Sequence, residues 1–336
     1  MKDPRLLVLV AQLRTSLLWV AAVVIVITVV FGNLPGSGRY SGVLQDSCHA
    51  PAFGALAFIM LTLVARRDQH SRTAALPEPN IGALLLRCLM TVVAMGLLGG
   101  ATELLQALLG RDAQLDDAIS DVIGAATASG LWFYLQLQGA GTGIAARLGR
   151  TGAVLVCAGA FAYWATPLVK CASAYWHRNA QFPVLARFHD SRDLYFVDSA
   201  GLGDNPIVSR AAGAAPTALR VGLDNGRWPG VTFFELVPDW RGYHSLTLEL
   251  SNSSGAPLTL HLRVNDRAHD DTLEDRFNTL LQLPPHAHQT FTIPLERIAA
   301  APRARRMDMS RIATLIVFHD GTAPGAAFMV QRIALE

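Results

Sequence analysis

The chain has 336 residues, enough for two domains, and its 28 Lys and Arg against 26 Asp and Glu give a net charge of only +2. It is 51% hydrophobic and 16% charged, with a mean hydropathy of +0.31, whereas soluble domains are about 25% charged. The absence of a basic stripe excludes a nucleic-acid-binding chain. The hydrophobic residues are concentrated before about residue 175, which predicts a membrane half followed by a soluble half.

Five apolar stretches in the first half are each close to the roughly 20 residues that a helix needs to cross the hydrocarbon layer. Basic residues are most frequent before the first stretch, after the second and after the fourth, so the positive-inside rule places the amino terminus in the cytoplasm. Everything after the fifth stretch is then predicted to be extracytoplasmic, in the periplasm if the protein is bacterial. The predicted spans are 16–30, 50–65, 81–109, 118–137 and 152–169.

Three pairs of polar residues at helical spacing lie at the edges of these stretches. Residues three or four apart share a helix face, and ionisable groups at a membrane edge are costly to bury unless they meet. The topology predicts that all of them gather at the outer face of the membrane, where we call them the polar cluster. Its members are Asp46 and His49, Glu103 and Gln106, Asp117 and Asp121, and Arg111 between the last two pairs.

Each pair taken alone also fits a structural role, because Asp46 and Asp116 are good helix N-caps and acids favour helix N-termini. Glu103 fits that account least well, since it is an acid near a helix C-terminus and needs a partner such as His49 or Arg111. Small residues at 96 and 100 are expected to let a neighbouring helix approach closely there.

The polar residues also occur in a fixed order: DSCH at 46–49, ELLQ at 103–106, GR at 110–111 and DAISDVIG at 117–124. In order and spacing these motifs resemble the VanZ-like membrane domain, over roughly residues 15–140. Asp121 departs from the family pattern, in which Asn is common at this position, and adds a negative charge. The resemblance implies a membrane location and a cell-envelope setting, and no reaction, because the activity of that family is generally unassigned.

The four cysteines all lie in the first half and form no CxxC pair, so the sequence predicts neither a zinc motif nor a thioredoxin-like one. Cys88 and Cys157 are expected to be small hydrophobic residues inside spans. Cys48 and Cys171 would both lie near the outer face, which leaves a disulfide between them open.

The second half shows the alternation of β-strands. Residues 244–251 and 258–264 alternate leucine with polar residues on either side of the turn cluster NSSGAP, which predicts two neighbouring antiparallel strands. Short alternating strands with little helix predict a β-sandwich. Further strands are predicted at 231–236, 289–294, 313–318 and 328–335.

The order of several segments resembles the galactose-binding-like jelly rolls found as carbohydrate-binding modules, over roughly residues 184–336. The segments are GRWPGVTFF, DWRGYHSLTLEL, LRVNDRAHDD, EDRFN, QTFTIPL and RIALE. Sugar recognition needs aromatic platforms and planar polar groups, although residues such as Trp240 and Phe277 are more often part of a core. The candidate glycan-binding residues are Trp228, Trp240, Tyr243, Arg263, Asp266, His269 and Arg276.

Five acids between Asp266 and Asp275 leave calcium binding open, but they do not form an EF-hand loop, so a solvated loop is favoured. No other cofactor and no metal site is predicted. G-x-S-x-G, Walker A and H-E-x-x-H are absent from the sequence, so no catalytic residue is assigned.

Together these features predict a transmembrane bundle of four VanZ-like helices plus a fifth span, followed by an all-β sandwich or jelly roll. The predicted domains are 1–150, 151–178 and 179–336. The leading hypothesis is an envelope protein of the plasma membrane whose outward jelly roll binds a glycan or another envelope component. The alternative is a membrane enzyme acting on a lipid-linked envelope glycan, with Glu103 or His49 as acid or base and Arg111 holding a phosphate. An ion-coupled transporter is less favoured, because polar groups are expected at one face of the membrane only.

Overall fold

The computed structural model describes residues 4–32, 36, 38–70, 80–110, 114–139, 143–198, 209–210, 218–224 and 226–336. The chain divides into two compact units, Met1–Cys171 and Ala172–Glu336. The first is helical and the second is an antiparallel sandwich of two sheets, which confirms the predicted fold class.

Five long helices make up the first part of the chain, and all five are long and apolar enough to cross a membrane. Many of their large hydrophobic side chains are exposed, as expected for helices that have lipid as their surroundings. This is compatible with a multi-pass membrane protein. The helices are α1 (Pro4–Phe31), α2 (Arg39–His70), α3 (Ile81–Leu108), α4 (Leu115–Gln136) and α5 (Ile144–Gln181), the last ending within the second unit.

Helix α2 begins at Arg39, well before the predicted start of the second span at residue 50. Asp46 and His49 therefore lie inside the helix and not at its head, so the capping role considered for Asp46 is wrong. Pro51 sits in the helix interior, where a proline removes the hydrogen bond to the carbonyl four residues earlier. That carbonyl belongs to Ser47, and the indole Nε1–H of Trp164 on α5 donates to it at 2.8 Å. A side chain from a neighbouring helix thus replaces the lost backbone donor.

Helices α2 and α4 touch backbone to backbone at Gly124. A Cβ at this position would overlap the carbonyl of Ala50, and one at Gly54 would lie 3.1 Å from the Gly124 oxygen. Small residues permit such close approach in membranes. The predicted close contact is confirmed at Gly96, where a Cβ would lie 3.1 Å from a Val122 methyl. It is wrong at Gly100, where a Cβ would meet nothing within 4 Å.

The second unit contains eleven strands and the short helix α6 (Leu295–Ala299) within its described residues. The six predicted strands are confirmed to within one or two residues, and five strands were not predicted (β1, β2, β3, β4 and β8). The strands are β1 (Val184–Ala186), β2 (Val197–Asp198), β3 (Ser209–Arg210), β4 (Leu219–Gly222), β5 (Gly230–Phe234), β6 (Ser245–Asn252), β7 (Leu258–Asp266), β8 (Phe277–Leu283), β9 (His288–Pro294), β10 (Ile312–His319) and β11 (Ala327–Leu335).

The strands form two antiparallel sheets. The first has the order β3-β4-β11-β6-β9, with β1 also paired to β11, and the second has the order β2-β5-β10-β7-β8. The predicted pairing of β6 with β7 is therefore wrong, because these strands belong to different sheets. Asn252 ends β6, and its side-chain amide donates to the carbonyls of Ala256, Leu283 and Pro284, which holds the crossover between the sheets. The leucines of β6 and β7 consequently meet face to face in one buried core.

All four cysteines are free thiols in the structure. Cys48 is exposed and Cys171 is buried, so the disulfide left open by the sequence is not formed.

Candidate functional site

Helices α2, α3 and α4 bring four members of the polar cluster together at one end of the bundle. His49, Glu103 and Asp117 are each more than nine-tenths buried, and Asp121 has no exposed surface. The positions of these residues in their helices explain why they lie close together. Helix α3 ends and α4 begins at this end of the bundle, and His49 directly precedes Ala50, which contacts Gly124 of α4. We call these four residues the buried carboxylate–histidine site.

Histidine is the centre of this site. His49 Nδ1 lies 3.1 Å from Asp121 Oδ1, and its Nε2 lies 3.8 Å from Asp117 Oδ2. In the tautomer with the proton on Nδ1, His49 donates to Asp121 and the lone pair of Nε2 points towards Asp117. Asp121 is thus in position to select the histidine tautomer.

Glu103 connects the end of α3 to the start of α4. Its Oε2 accepts a hydrogen bond from the backbone N–H of Gln114, the N-cap of α4, at 2.9 Å. This satisfies one of the free amide groups of a helix N-terminus. Its Oε1 and Asp121 Oδ2 are buried and have no hydrogen-bond partner among the described residues. Buried unpartnered polar atoms of this kind are costly, at about 1–3 kcal/mol each.

The remaining members of the polar cluster are placed differently. Gln106 is buried, but its Nε2 donates to the carbonyl of Val29 on α1 at 3.0 Å, so it joins two helices. Asp46 is half-buried on α2. Arg111 lies outside the described residues.

Two of the aromatic residues proposed for glycan binding are largely built into the sandwich. Trp240 is fully buried and its Nε1–H donates to the Val237 carbonyl at 2.9 Å, so its ring has no face free for a sugar. Tyr243 is half-buried and packs edge-on against Phe182 at 5.4 Å. Trp228 is 42% exposed, with the Arg227 guanidinium 4.5 Å above its ring.

Asp266 is held by an internal ion pair. Its carboxylate is fully buried and accepts two hydrogen bonds from Arg305, at 2.6 and 2.7 Å. The other edge of the same guanidinium binds Asp275 at 2.7 and 2.8 Å. Burial by itself raises the pKa of Asp266, but the hydrogen bonds from Arg305 and from the Asp308 amide outweigh it and hold the pKa below its usual value. Arg305 likewise lowers the pKa of Asp275.

The loop near His269 is also fixed by internal contacts. The Arg263 guanidinium lies 2.9 Å from His269 Nε2, and His269 Nδ1 lies 2.9 Å from the Asp275 carbonyl oxygen. His269, Asp270 and Asp275 are close enough to hold a cation, but Asp275 already pairs with Arg305. Calcium binding here stays a prediction. Arg276 is half-buried, and its Nε has no partner among the described residues.

The solvent face of the second sheet contains three residues that the sequence reasoning missed, namely His261, Leu280 and Phe318. On β7 the alternation LTLHLRV turns the leucines inward and turns His261 outward together with the predicted Arg263, so the signal was present. His261 stacks on Phe318 of β10, with ring centroids 4.9 Å apart and planes 15° apart. Leu280 of β8 pairs with His261 on the other side and is 55% exposed. These three residues form one row of cross-strand partners on the solvent face. In the neighbouring row, Arg263 of β7 lies between Ile316 of β10 and Asn278 of β8.

No model of a known protein family matches the sequence, and no curated protein matches it. The solved structures that resemble the chain include carbohydrate-binding modules. A family 11 module from Clostridium thermocellum, in complex with a β-1,3-1,4-mixed-linked tetrasaccharide, is 16% identical with a TM-score of 0.35, over 45% of this chain and 93% of that chain. A family 30 module of a cellulosomal cellulase of Clostridium thermocellum is 13% identical with a TM-score of 0.30, over 42% and 86%.

An exo-β-agarase is 13% identical with a TM-score of 0.36, over 46% of this chain and 24% of that chain. Identities and TM-scores at this level are too low to support a conclusion about function.

Proposed function

We propose that this chain is a VanZ-like polytopic protein of the plasma membrane whose sandwich faces the outside and binds an envelope glycan. The observation that carries the glycan proposal is the aligned row on the solvent face of the second sheet. Strand register sets Phe318, His261 and Leu280 side by side on β10, β7 and β8.

The row combines the two features that a sugar ring requires. The stacked pair of His261 and Phe318 and the exposed Leu280 offer apolar surface to the C–H face of a pyranose. Arg263 and Asn278 in the adjacent row offer planar hydrogen-bonding groups to its hydroxyls. A mostly apolar surface with a few placed polar groups is the usual composition of a small-molecule site. Trp228 lies two residues before Gly230, which pairs with Phe318, and is also exposed.

The proposed orientation rests on the basic residues of the short loops. Arg66, Arg67 and Arg72 follow the second span, and Arg147 and Arg150 follow the fourth. This pattern supports a cytoplasmic amino terminus and an extracytoplasmic sandwich.

The test is binding of the full-length protein in detergent to a broad glycan array, with and without calcium. We expect His261→Ala and Phe318→Ala each to weaken binding at least tenfold. His288→Ala is the matched control, because His288 is an exposed histidine on β9 of the other sheet. Failure of the parent protein to bind any glycan, or unchanged binding by both variants, would refute the proposal.

A second function is favoured by the buried carboxylate–histidine site, namely an enzyme acting on a lipid-linked envelope glycan. Titratable groups that share a buried site are suited to acid–base chemistry. The candidates here are His49 Nε2, which lies 3.8 Å from Asp117 Oδ2, and Glu103 Oε1, which has no hydrogen-bond partner among the described residues. Turnover of lipid-linked precursors should fall in Glu103→Gln and Asp117→Asn and persist in Asp116→Asn, which alters an exposed neighbour. Equal turnover in all variants would exclude this enzyme.

A further inference from the structure

We propose that His49, Glu103 and Asp117 are ligands of a divalent transition-metal ion, with Asp121 as the residue that positions His49. The sequence predicted no metal at this place. The inference deepens the second function proposed above and is independent of glycan binding by the sandwich.

The spacing of the three side chains fits one ion. Each offers a ligand atom, and the three atoms lie within 4.8 Å of one another. Metal bonds to imidazole nitrogen or carboxylate oxygen are about 2.0–2.2 Å, so the ligand atoms of a tetrahedral ion lie about 3.3–3.6 Å apart. The 3.8 Å between His49 Nε2 and Asp117 Oδ2 is within about 0.5 Å of this separation. The other two separations are at most 4.8 Å, so these side chains must approach each other by no more than about 1.5 Å to bind one ion.

Asp121 supplies the support that metal-binding histidines usually have. A ligand histidine donates its other ring N–H to a carboxylate, which fixes the tautomer and the direction of the free lone pair. His49 Nδ1 lies 3.1 Å from Asp121 Oδ1, and Asp121 has no exposed surface. The contact of Ala50 with Gly124, one residue after His49 and three after Asp121, holds the two helices at this distance.

A second, independent observation points to a ligand. Glu103 is 6% exposed, and its Oε1 has no hydrogen-bond partner among the described residues although Oε2 is satisfied. The site also gathers three carboxyl groups around one imidazole. Among the described residues, the carboxylates of Asp117 and Asp121 both lie within 4 Å of a ring nitrogen of the single imidazole of His49. A divalent cation would balance this concentration of acids in a buried place.

The donor set favours zinc or manganese. Calcium and magnesium prefer oxygen ligands alone, whereas one imidazole with two carboxylates suits Zn²⁺ and Mn²⁺. Three protein ligands leave a coordination position free, as in catalytic zinc sites, where water or a substrate oxygen binds. A phosphate or sugar oxygen of a lipid-linked substrate has the chemistry to occupy it.

The experiment measures metal binding without any substrate. Full-length protein in detergent is stripped with a chelator, equilibrated with Zn²⁺ or Mn²⁺ and desalted, and retained metal is counted by mass spectrometry. We expect about one ion per chain in the parent protein and a loss in His49→Ala, Glu103→Gln and Asp117→Asn. Asp121→Asn should weaken affinity about 10–100-fold, as loss of an outer-shell partner does.

Two controls separate specific binding from surface binding and misfolding. Asp116→Asn removes an exposed acid beside Asp117, and Asp270→Asn removes one from the acidic loop of the sandwich; both should retain the ion. Melting curves in chelator identify any variant that fails to fold, and the metal should raise the melting temperature of the parent but not of folded Glu103→Gln. Retention by the parent no greater than by Glu103→Gln, or an equal loss in Asp116→Asn, would overturn the proposal. Metal retention by a parent protein that turns over no lipid-linked precursor would refute only the enzymatic function.

Discussion

His49 and Asp121 form a hydrogen bond of 3.1 Å across the contact between α2 and α4, although 72 positions separate them in the chain. The bond exists because both residues lie next to the place where the two helix backbones touch, at Ala50 and Gly124. Close helix packing therefore builds the buried carboxylate–histidine site.

Gly124→Ala should break this arrangement. The added methyl would overlap the Ala50 carbonyl, and overpacking costs about 1–3 kcal/mol even where side chains can adjust. We expect a lower melting temperature in detergent. Gly100→Ala is the control, because a Cβ there meets nothing within 4 Å; equal melting temperatures for the two variants would contradict the tight helix contact.

Trp164→Phe should destabilise the bundle by about 1–3 kcal/mol, because it leaves the Ser47 carbonyl without a donor. Pro51→Ala should largely restore stability in the double variant, since residue 51 then regains the amide that donates to this carbonyl. Thermal denaturation of the single and double variants measures the effect. Trp176 on the same helix is 68% exposed, so Trp176→Phe should change the melting temperature little. If the effects of Trp164→Phe and Pro51→Ala simply add in the double variant, the Trp164 indole does not replace the amide that Pro51 lacks.

Arg305→Met should destabilise the sandwich by about 3–5 kcal/mol, the usual cost of removing one partner of a buried ion pair. Asp266 would keep a fully buried carboxylate without its main partner. The neighbouring Arg306 pairs with Glu296 in solvent, with side chains 62% and 75% exposed, so Arg306→Met should cost less than about 1 kcal/mol. Hydrogen exchange of the β7 and β10 amides measures the stability lost in each variant. Similar protection in Arg305→Met and Arg306→Met would contradict the prediction that the Arg305 substitution costs more.

The same ion pair predicts an acid limit for the sandwich. The pKa values of Asp266 and Asp275 lie below those of unfolded aspartates, about 3.9. Their contribution to the free energy of unfolding is therefore complete above about pH 4 and is lost as the pH falls through the folded-state values. Below about pH 4, the hydrogen-exchange protection of β7 should decrease in the parent protein. The difference in protection between the parent and Arg305→Met should then narrow. A constant difference down to pH 2 would be inconsistent with this linkage.

The sequence by itself determined the class of each half and the position of most elements. Long apolar stretches predict spanning helices because hydrocarbon requires every backbone group to be satisfied within the helix. Alternating leucines predict strands such as β6 and β7 because successive side chains point to opposite faces. Both signals are local, so one sequence suffices to read them.

The tertiary structure decided which residues meet. The motifs grouped Gln106 with Glu103. In the structure, Gln106 donates to a carbonyl of α1, whereas Glu103 lies near His49. Alternation showed that the leucines of β6 and β7 face a core, but not that the core lies between two sheets. Likewise Trp240, proposed as a platform, fills the interior. Such outcomes depend on packing between segments distant in the chain, where burial of the whole core, and not the preference of any one segment, selects the partners.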